Sequence, residues 1–228
     1  MKNIVLWGHD LSDYQAMFAL TSLDLTQNIV EYGSGPTIFN AEMHKIGHRV
    51  VSIDPQFGSS QTEVKLYFDK DFETAQKEMQ HCKSQFNDSK YGSLDAFLKH
   101  RRAGMHLFYE DYVLGYTEGR YIDAKLADLP FDNFQFKIAV SSHCFFGNRG
   151  NEDLAFHTSE IRALARIAEE VRIFPLTDPM GNISEVLGPL LLHLQQEKLG
   201  VELREVPYEL QSNRSALLRV WAQSCDVA

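Results

Sequence analysis

The sequence predicts an α/β fold, a mostly parallel sheet with helices on both faces, and three observations carry that expectation. A short apolar run, Ile29-Val30, leads into an acidic residue and a glycine turn, Glu31-Tyr32-Gly33-Ser34-Gly35-Pro36-Thr37. A helical stretch from Ile38 to about Lys45 follows and stops at Gly47. A second apolar run, Val50-Val51-Ser52-Ile53, then ends on Asp54. Strand, glycine turn, helix, strand and strand-end carboxylate form the first unit of a nucleotide-binding α/β fold.

The chemistry of the turn is local. Gly33 and Gly35 permit unusual backbone angles and the close approach of a ligand, and the start of a helix offers free N–H groups. Asp54, 19 residues beyond Gly35, can accept two hydrogen bonds from a ribose diol. Position 38 is Ile38 where the dinucleotide fingerprint has its third glycine, which counts against NAD or FAD. A P-loop is excluded by the absence of a closing Gly-Lys-Ser/Thr. A carboxylate such as Glu31 beside the turn repels a pyrophosphate and suits a cation.

Composition narrows the class. The 228 residues are enough to bury a sizeable core, and we expect one domain over 1–228. A formal charge of −9 speaks against nucleic acid as the main partner. The one locally basic stretch, Lys99-His100-Arg101-Arg102, points in several directions on a helix and reads as a solvated face. Cys82, Cys144 and Cys225 are odd in number and far apart, giving no disulfide framework and no metal site. With no signal-peptide pattern and no apolar run of membrane-spanning length, a cytoplasmic protein is expected.

Taken in order, residues 10–23 read as a helix in which Tyr14 is a packed core aromatic, with a place bordering the site as the alternative. After Asp54-Pro55 the alternation breaks for about 65 residues, up to a strand at Arg120 to Ala124. This stretch, 56–119, reads as a helical insertion and a possible lid. One helical pattern runs from about Phe72 to Phe86, and a second begins after an N-cap at Ser93. The second places Leu94, Phe97, Leu98, Arg101, Met105, Phe108, Tyr109 and Tyr112 on one broad face. A fourth strand, Ile138 to Ser142, ends at His143, where open α/β sheets bind ligands. His143 there is a candidate general base, since histidine titrates near neutrality. Cys144 has no basic neighbour in sequence and reads as a small buried residue. A helix over about 153–168, a strand at Glu170 to Leu176, a helix after Ser184 and strands at Val201–Val206 and Ser215–Trp221 bring the count to seven strands.

Together, Glu-Tyr-Gly-Ser-Gly-Pro-Thr at 31–37, Val-Ser-Ile-Asp-Pro at 51–55, Leu-Pro-Phe at 129–131, Ser-Ser-His at 141–143 and Arg-Ile-Phe-Pro-Leu at 172–176 resemble class I S-adenosylmethionine (SAM)-dependent methyltransferases. More narrowly, they resemble a bacterial methyltransferase-like group with no defined substrate. Thr37 departs from the family, which commonly has a third glycine there. The resemblance covers about 28–221. It implies a Rossmann-like seven-stranded sheet whose last strand lies antiparallel between the fifth and sixth. It implies SAM as cofactor, S-adenosylhomocysteine as product, and Glu31, Tyr32, Gly33, Ser34, Gly35 and Ser142 around the methionine part. Asp54 would hold the ribose, Pro55 would lie along the adenine, and Leu126 would meet the adenine through its backbone.

The acceptor is open. The Asn/Asp-Pro-Pro-aromatic signature of enzymes that methylate nucleic-acid amino groups is absent from Ser141-Ser142-His143-Cys144-Phe145-Phe146, which favours a small molecule or a protein. Methyl transfer needs alignment above all, and a base only when the acceptor carries a proton. Two other readings stay open: a SAM-binding regulatory or sensor protein without transferase activity, and an NAD-using Rossmann-like enzyme.

Overall fold

The computed structural model describes residues 7–58, 60–81, 90–146, 153–177, 182–208 and 215–222. Cys82, Cys225, part of the turn after Thr177 and most of the link before Ser215 lie outside them. Seven strands form one sheet: β1 (Ile29–Tyr32), β2 (Val50–Ile53), β3 (Tyr121–Ile122), β4 (Phe136–Ser142), β5 (Ala168–Phe174), β6 (Leu199–Val206) and β7 (Ser215–Ala222). Their order is β3-β2-β1-β4-β5-β7-β6. β1 pairs in parallel with both β2 and β4, and β7 runs antiparallel to β5 and β6. This is the arrangement expected from the sequence, and it puts the chain reversal between β1 and β4.

The pleat sends alternate residues to opposite faces. Ile29, Ile138 and Val140 pack with Tyr14, Met17 and Phe18 of α1 (Leu11–Phe18) and Phe39 and Met43 of α2 (Phe39–Lys45). Val30, Ala139, Val171 and Ile173 pack the other way, against Ile161 and Leu164 of α5 (Leu154–Ile167) and Leu190 and Leu194 of α6 (Leu187–Gln196). Each large apolar side chain so buried contributes roughly 1.5–3 kcal/mol.

The insertion builds a further cluster at the β3 edge. In α3 (Gln61–His81), Val64, Phe68, Phe72, Ala75 and Met79 face Phe97, Met105, Phe108 and Tyr112 of α4 (Leu94–Thr117). Trp7, Ile38, Phe57 and Tyr121 join this cluster, so it is continuous with the glycine turn. Helix α3 starts at Gln61, well before the expected Phe72, and α1 ends at Phe18, where Ala19 takes a left-handed conformation (φ 49°). No helix of the described residues is long and apolar enough to cross a membrane.

Candidate cofactor site at the ends of β1, β2 and β4

The parallel register sets the carboxyl ends of β1, β2 and β4 side by side, with Tyr32 opposite both Ile53 and Ser141. Ser141 Oγ donates to the Tyr32 carbonyl at 3.0 Å across the β1/β4 junction. Glu31 points to the α1 face and is buried. Ser52 Oγ donates to its Oε1, and Asn40 Nδ2 in turn donates to Ser52 Oγ at 2.7 Å. The hydroxyls of Tyr14 and Thr37 stand against the same carboxyl. Burial pushes Glu31 up to about 7; these hydroxyls oppose the shift and the Asp54 charge adds to it.

The turn itself is held from within. Gly33 and Gly35 take left-handed conformations, φ 64° and 56°. A methyl group built on Gly33 would run into Cys144 Sγ, and one built on Gly35 into the Trp7 ring. The close approach that these glycines permit is therefore used by the protein's own side chains. Asp54 accepts from Gly35 N–H at 3.1 Å and from Gln56 N–H at 2.9 Å, so it fastens the turn as well as facing the site. Just ahead of α2, Thr37 N–H bonds Gly35 O and Ile38 N–H bonds His9 O.

The expected site residues come together here, at the strand ends. Ser34, Asp54 and Ser142 are buried, Tyr32 and His143 are half-buried, and Pro55 is exposed beside Asp54. Burial first, with Cys144 adding, raises the Tyr32 phenol well above its usual value, while the Leu126 backbone opposes that shift by bonding it. Tyr32 and Leu126 thus meet through the Leu126 main chain, whose side chain belongs to the core. His143 has φ 59° and its N–H bonds Phe174 O at 2.7 Å.

Three further residues join them, of which the sequence offered only Tyr14, as the alternative to core packing. Tyr14 is a core aromatic, stacked on Phe39 at 4.2 Å, yet its hydroxyl reaches Glu31, Thr37 and Ser142. His9 is buried and stacks on His143 with ring centroids 5.5 Å apart. Trp7 covers Gly35 and donates from Nε1 to Asp71 Oδ2 of α3 at 2.7 Å. His9 Nδ1, Glu31 Oε2, Ser34 Oγ and Thr37 Oγ1 are buried and have no hydrogen-bond partner of good geometry. Unpaired buried polar atoms are costly, and a group of them around one turn fits a ligand with donors and acceptors of its own. A carboxylate and several hydroxyls fit the amino-acid end of SAM.

No family model matches the chain. It is 27% identical over 220 residues to the uncharacterized protein MJ0045 of Methanocaldococcus jannaschii, covering 96% of this chain and 97% of that one. Among solved structures, it is similar to a TehB-like SAM-dependent methyltransferase from Corynebacterium glutamicum, with TM-score 0.46, 14% identity, and 96% and 89% of the two chains covered. It is also similar to a SAM-dependent methyltransferase from Aquifex aeolicus, with TM-score 0.44, 14% identity and 93% of each chain covered. A third likeness is to magnesium protoporphyrin IX methyltransferase of Synechocystis PCC 6803 with bound SAM, with TM-score 0.44, 11% identity, and 86% and 69% covered. These are distant likenesses of fold. The strand order, with β7 antiparallel between β5 and β6, gives this chain the Rossmann-like fold of class I SAM-dependent methyltransferases.

Proposed function

We propose that this protein is a SAM-dependent methyltransferase whose acceptor is a small molecule or a protein. The observation that carries the reading is the buried Glu31 carboxyl, with one oxygen unpaired among unpaired hydroxyls, at the reversal between β1 and β4. Open α/β sheets bind ligands at such reversals. When bound, SAM supplies a methyl group on a sulfonium; the acceptor's lone pair forms the new bond to carbon, the C–S electrons stay on sulfur, and S-adenosylhomocysteine is left.

In this reading Glu31 attracts the cationic end, Gly33, Ser34 and Gly35 border the methionine part with Tyr32 and Ser142, and Asp54 holds the ribose. Pro55 and the Leu126 main chain flank the adenine. His143 accepts the proton of an acceptor that carries one. The 56–119 insertion walls the β3 side, within the single domain 1–228. The negative overall charge favours a neutral or cationic acceptor over nucleic acid.

A second reading, SAM binding without transfer, is favoured by Trp7 and Cys144 lying against the two glycines. Thermal unfolding with SAM, S-adenosylhomocysteine and NADH tests the cofactor. A ligand of the folded state adds about 2.7 kcal/mol at a hundredfold excess over its dissociation constant. We expect the first two to raise the midpoint and NADH to leave it unmoved. A rise with NADH alone would overturn both SAM readings. Transfer of labelled methyl to small-molecule or protein fractions then separates an enzyme from a binder.

A further inference from the structure

The unpaired atoms at the turn have two origins. Glu31 and Ser34 belong to the glycine motif. Thr37 replaces its third glycine, and His9 comes from outside it, on the segment before α1. This segment is docked beside the turn: Gly8 N–H bonds Pro36 O at 3.1 Å and Ile38 N–H bonds His9 O at 2.9 Å. The His9 ring lies 6.4 Å from that of Tyr14, whose hydroxyl reaches Glu31 and Thr37.

An amino-acid-ended ligand brings a carboxylate as well as a cation, and a carboxylate needs donors. The backbone cannot supply those already committed: Gly35 N–H is held by Asp54, Thr37 N–H by Gly35 O, and Ile38 N–H by His9 O. Arg101, the buried cation behind His9, spends its terminal nitrogens on Asp13, Tyr208 and Gly8 O. The unpaired side-chain donors at the turn itself are the Ser34 and Thr37 hydroxyls and the His9 imidazole; behind them Arg101 Nε is unpaired as well. Burial, then the Arg101 charge, hold His9 well below the usual histidine value, so the ring is neutral and carries one N–H. Thr37 is 1% exposed and His9 2%; His9 Nδ1 has no partner and the Thr37 hydroxyl meets Glu31 and Tyr14 only at poor geometry, so a ligand acceptor would complete both.

We propose that His9 and Thr37 bind the carboxylate of an amino-acid-ended nucleoside ligand, with Glu31 taking its ammonium; the inference rests on the SAM reading above. Two neutral donors with one carboxylate acceptor complement a zwitterion, and the sulfonium charge is then balanced by Glu31. A nucleoside without the amino-acid end does not use these donors.

The test is calorimetric titration of the full chain with SAM and with methylthioadenosine, which keeps the nucleoside and thioether but lacks the amino-acid end. His9→Phe keeps an aromatic ring without the donor, His9→Gln keeps a neutral donor, and Thr37→Val keeps the shape without the hydroxyl. We expect His9→Phe and Thr37→Val each to weaken SAM about tenfold, as for loss of a hydrogen bond to a charged group, with methylthioadenosine within about twofold of wild type. His9→Gln should retain most of the SAM affinity. If His9→Phe does not fold, the near-isosteric Thr37→Val decides. Equal losses for both ligands, or none for SAM, overturn the inference while leaving SAM binding intact. A wild-type protein that binds neither ligand overturns the cofactor reading, and this inference with it.

Discussion

A carboxyl buried at the end of β1, with Ser52 donating to it and the Tyr14 and Thr37 hydroxyls beside it, is still costly to ionise, and the cost has a sign that can be measured. Glu31 is raised in the folded protein to about 7 from its ordinary 4.5, so the native state holds a proton that the unfolded chain releases in between. Stability is therefore fully present below about pH 4.5 and falls as pH rises through 7. Glu31→Gln should leave stability unchanged at pH 4 and raise it at pH 8 by about 3 kcal/mol, measured by urea unfolding at both pH values. A cationic ligand needs the ionised form, so wild-type SAM affinity should rise from pH 6 to 8, whereas Glu31→Gln should bind weakly and without that slope. Gly33 offers a second residue-scale test. At φ 64° and against Cys144 Sγ, Gly33→Ala meets both strain and a clash, whereas Gly47, with φ 82° and open space around it, meets strain alone. Gly33→Ala should cost roughly 1–3 kcal/mol more than Gly47→Ala, and Cys144→Ala in the Gly33→Ala background should recover part of it.

Between elements, α1 and α4 are tied by a buried ion pair of Asp13 with Arg101, both side chains fully buried. Burial alone would raise the Asp13 carboxyl, but the Arg101 charge outweighs it and holds Asp13 well below the usual carboxylate range. Its contribution is therefore present above the unfolded value near 3.9 and lost as pH falls below that. Asp13→Asn should cost about 3–5 kcal/mol at pH 7, because it strands a buried guanidinium, and Asp13→Leu with Arg101→Met should recover most of it. None of this was legible at Arg101, which the sequence places in a basic stretch and on an apolar helical face. What resolves the choice is a partner 88 residues away. The strands were legible because their apolar runs are short and end at turns. The first half of α3 was missed, although Val64, Phe68 and Phe72 keep a helical spacing, because its many polar residues hid the pattern. At the site, the glycine motif and Asp54 could be read from local spacing. Trp7, His9 and the Tyr14 hydroxyl could not, since their place depends on how α1 folds back over the sheet.

Across the whole molecule, the sheet and the insertion are joined unevenly. β1 is paired on both sides and buried on both faces, whereas α3 has a polar outer face and meets the rest through α4 and Trp7. Native-state hydrogen exchange should therefore show α3 amides opening at lower free energy than those of β1 and β4, and SAM should narrow the gap if Trp7 couples α3 to the turn. Arg101 links more than two helices: its guanidinium also donates to Tyr208, 107 residues onward. The cover over the glycine turn is thus fastened by residues from near the start, the middle and near the end of the described chain. On the ribosome, the segment before α1, the turn and β2 emerge well before Arg101 and Tyr208, so the turn forms before the contacts that fasten its cover are complete. In the SAM reading, the cofactor can therefore meet the turn before Arg101 has its full set of partners.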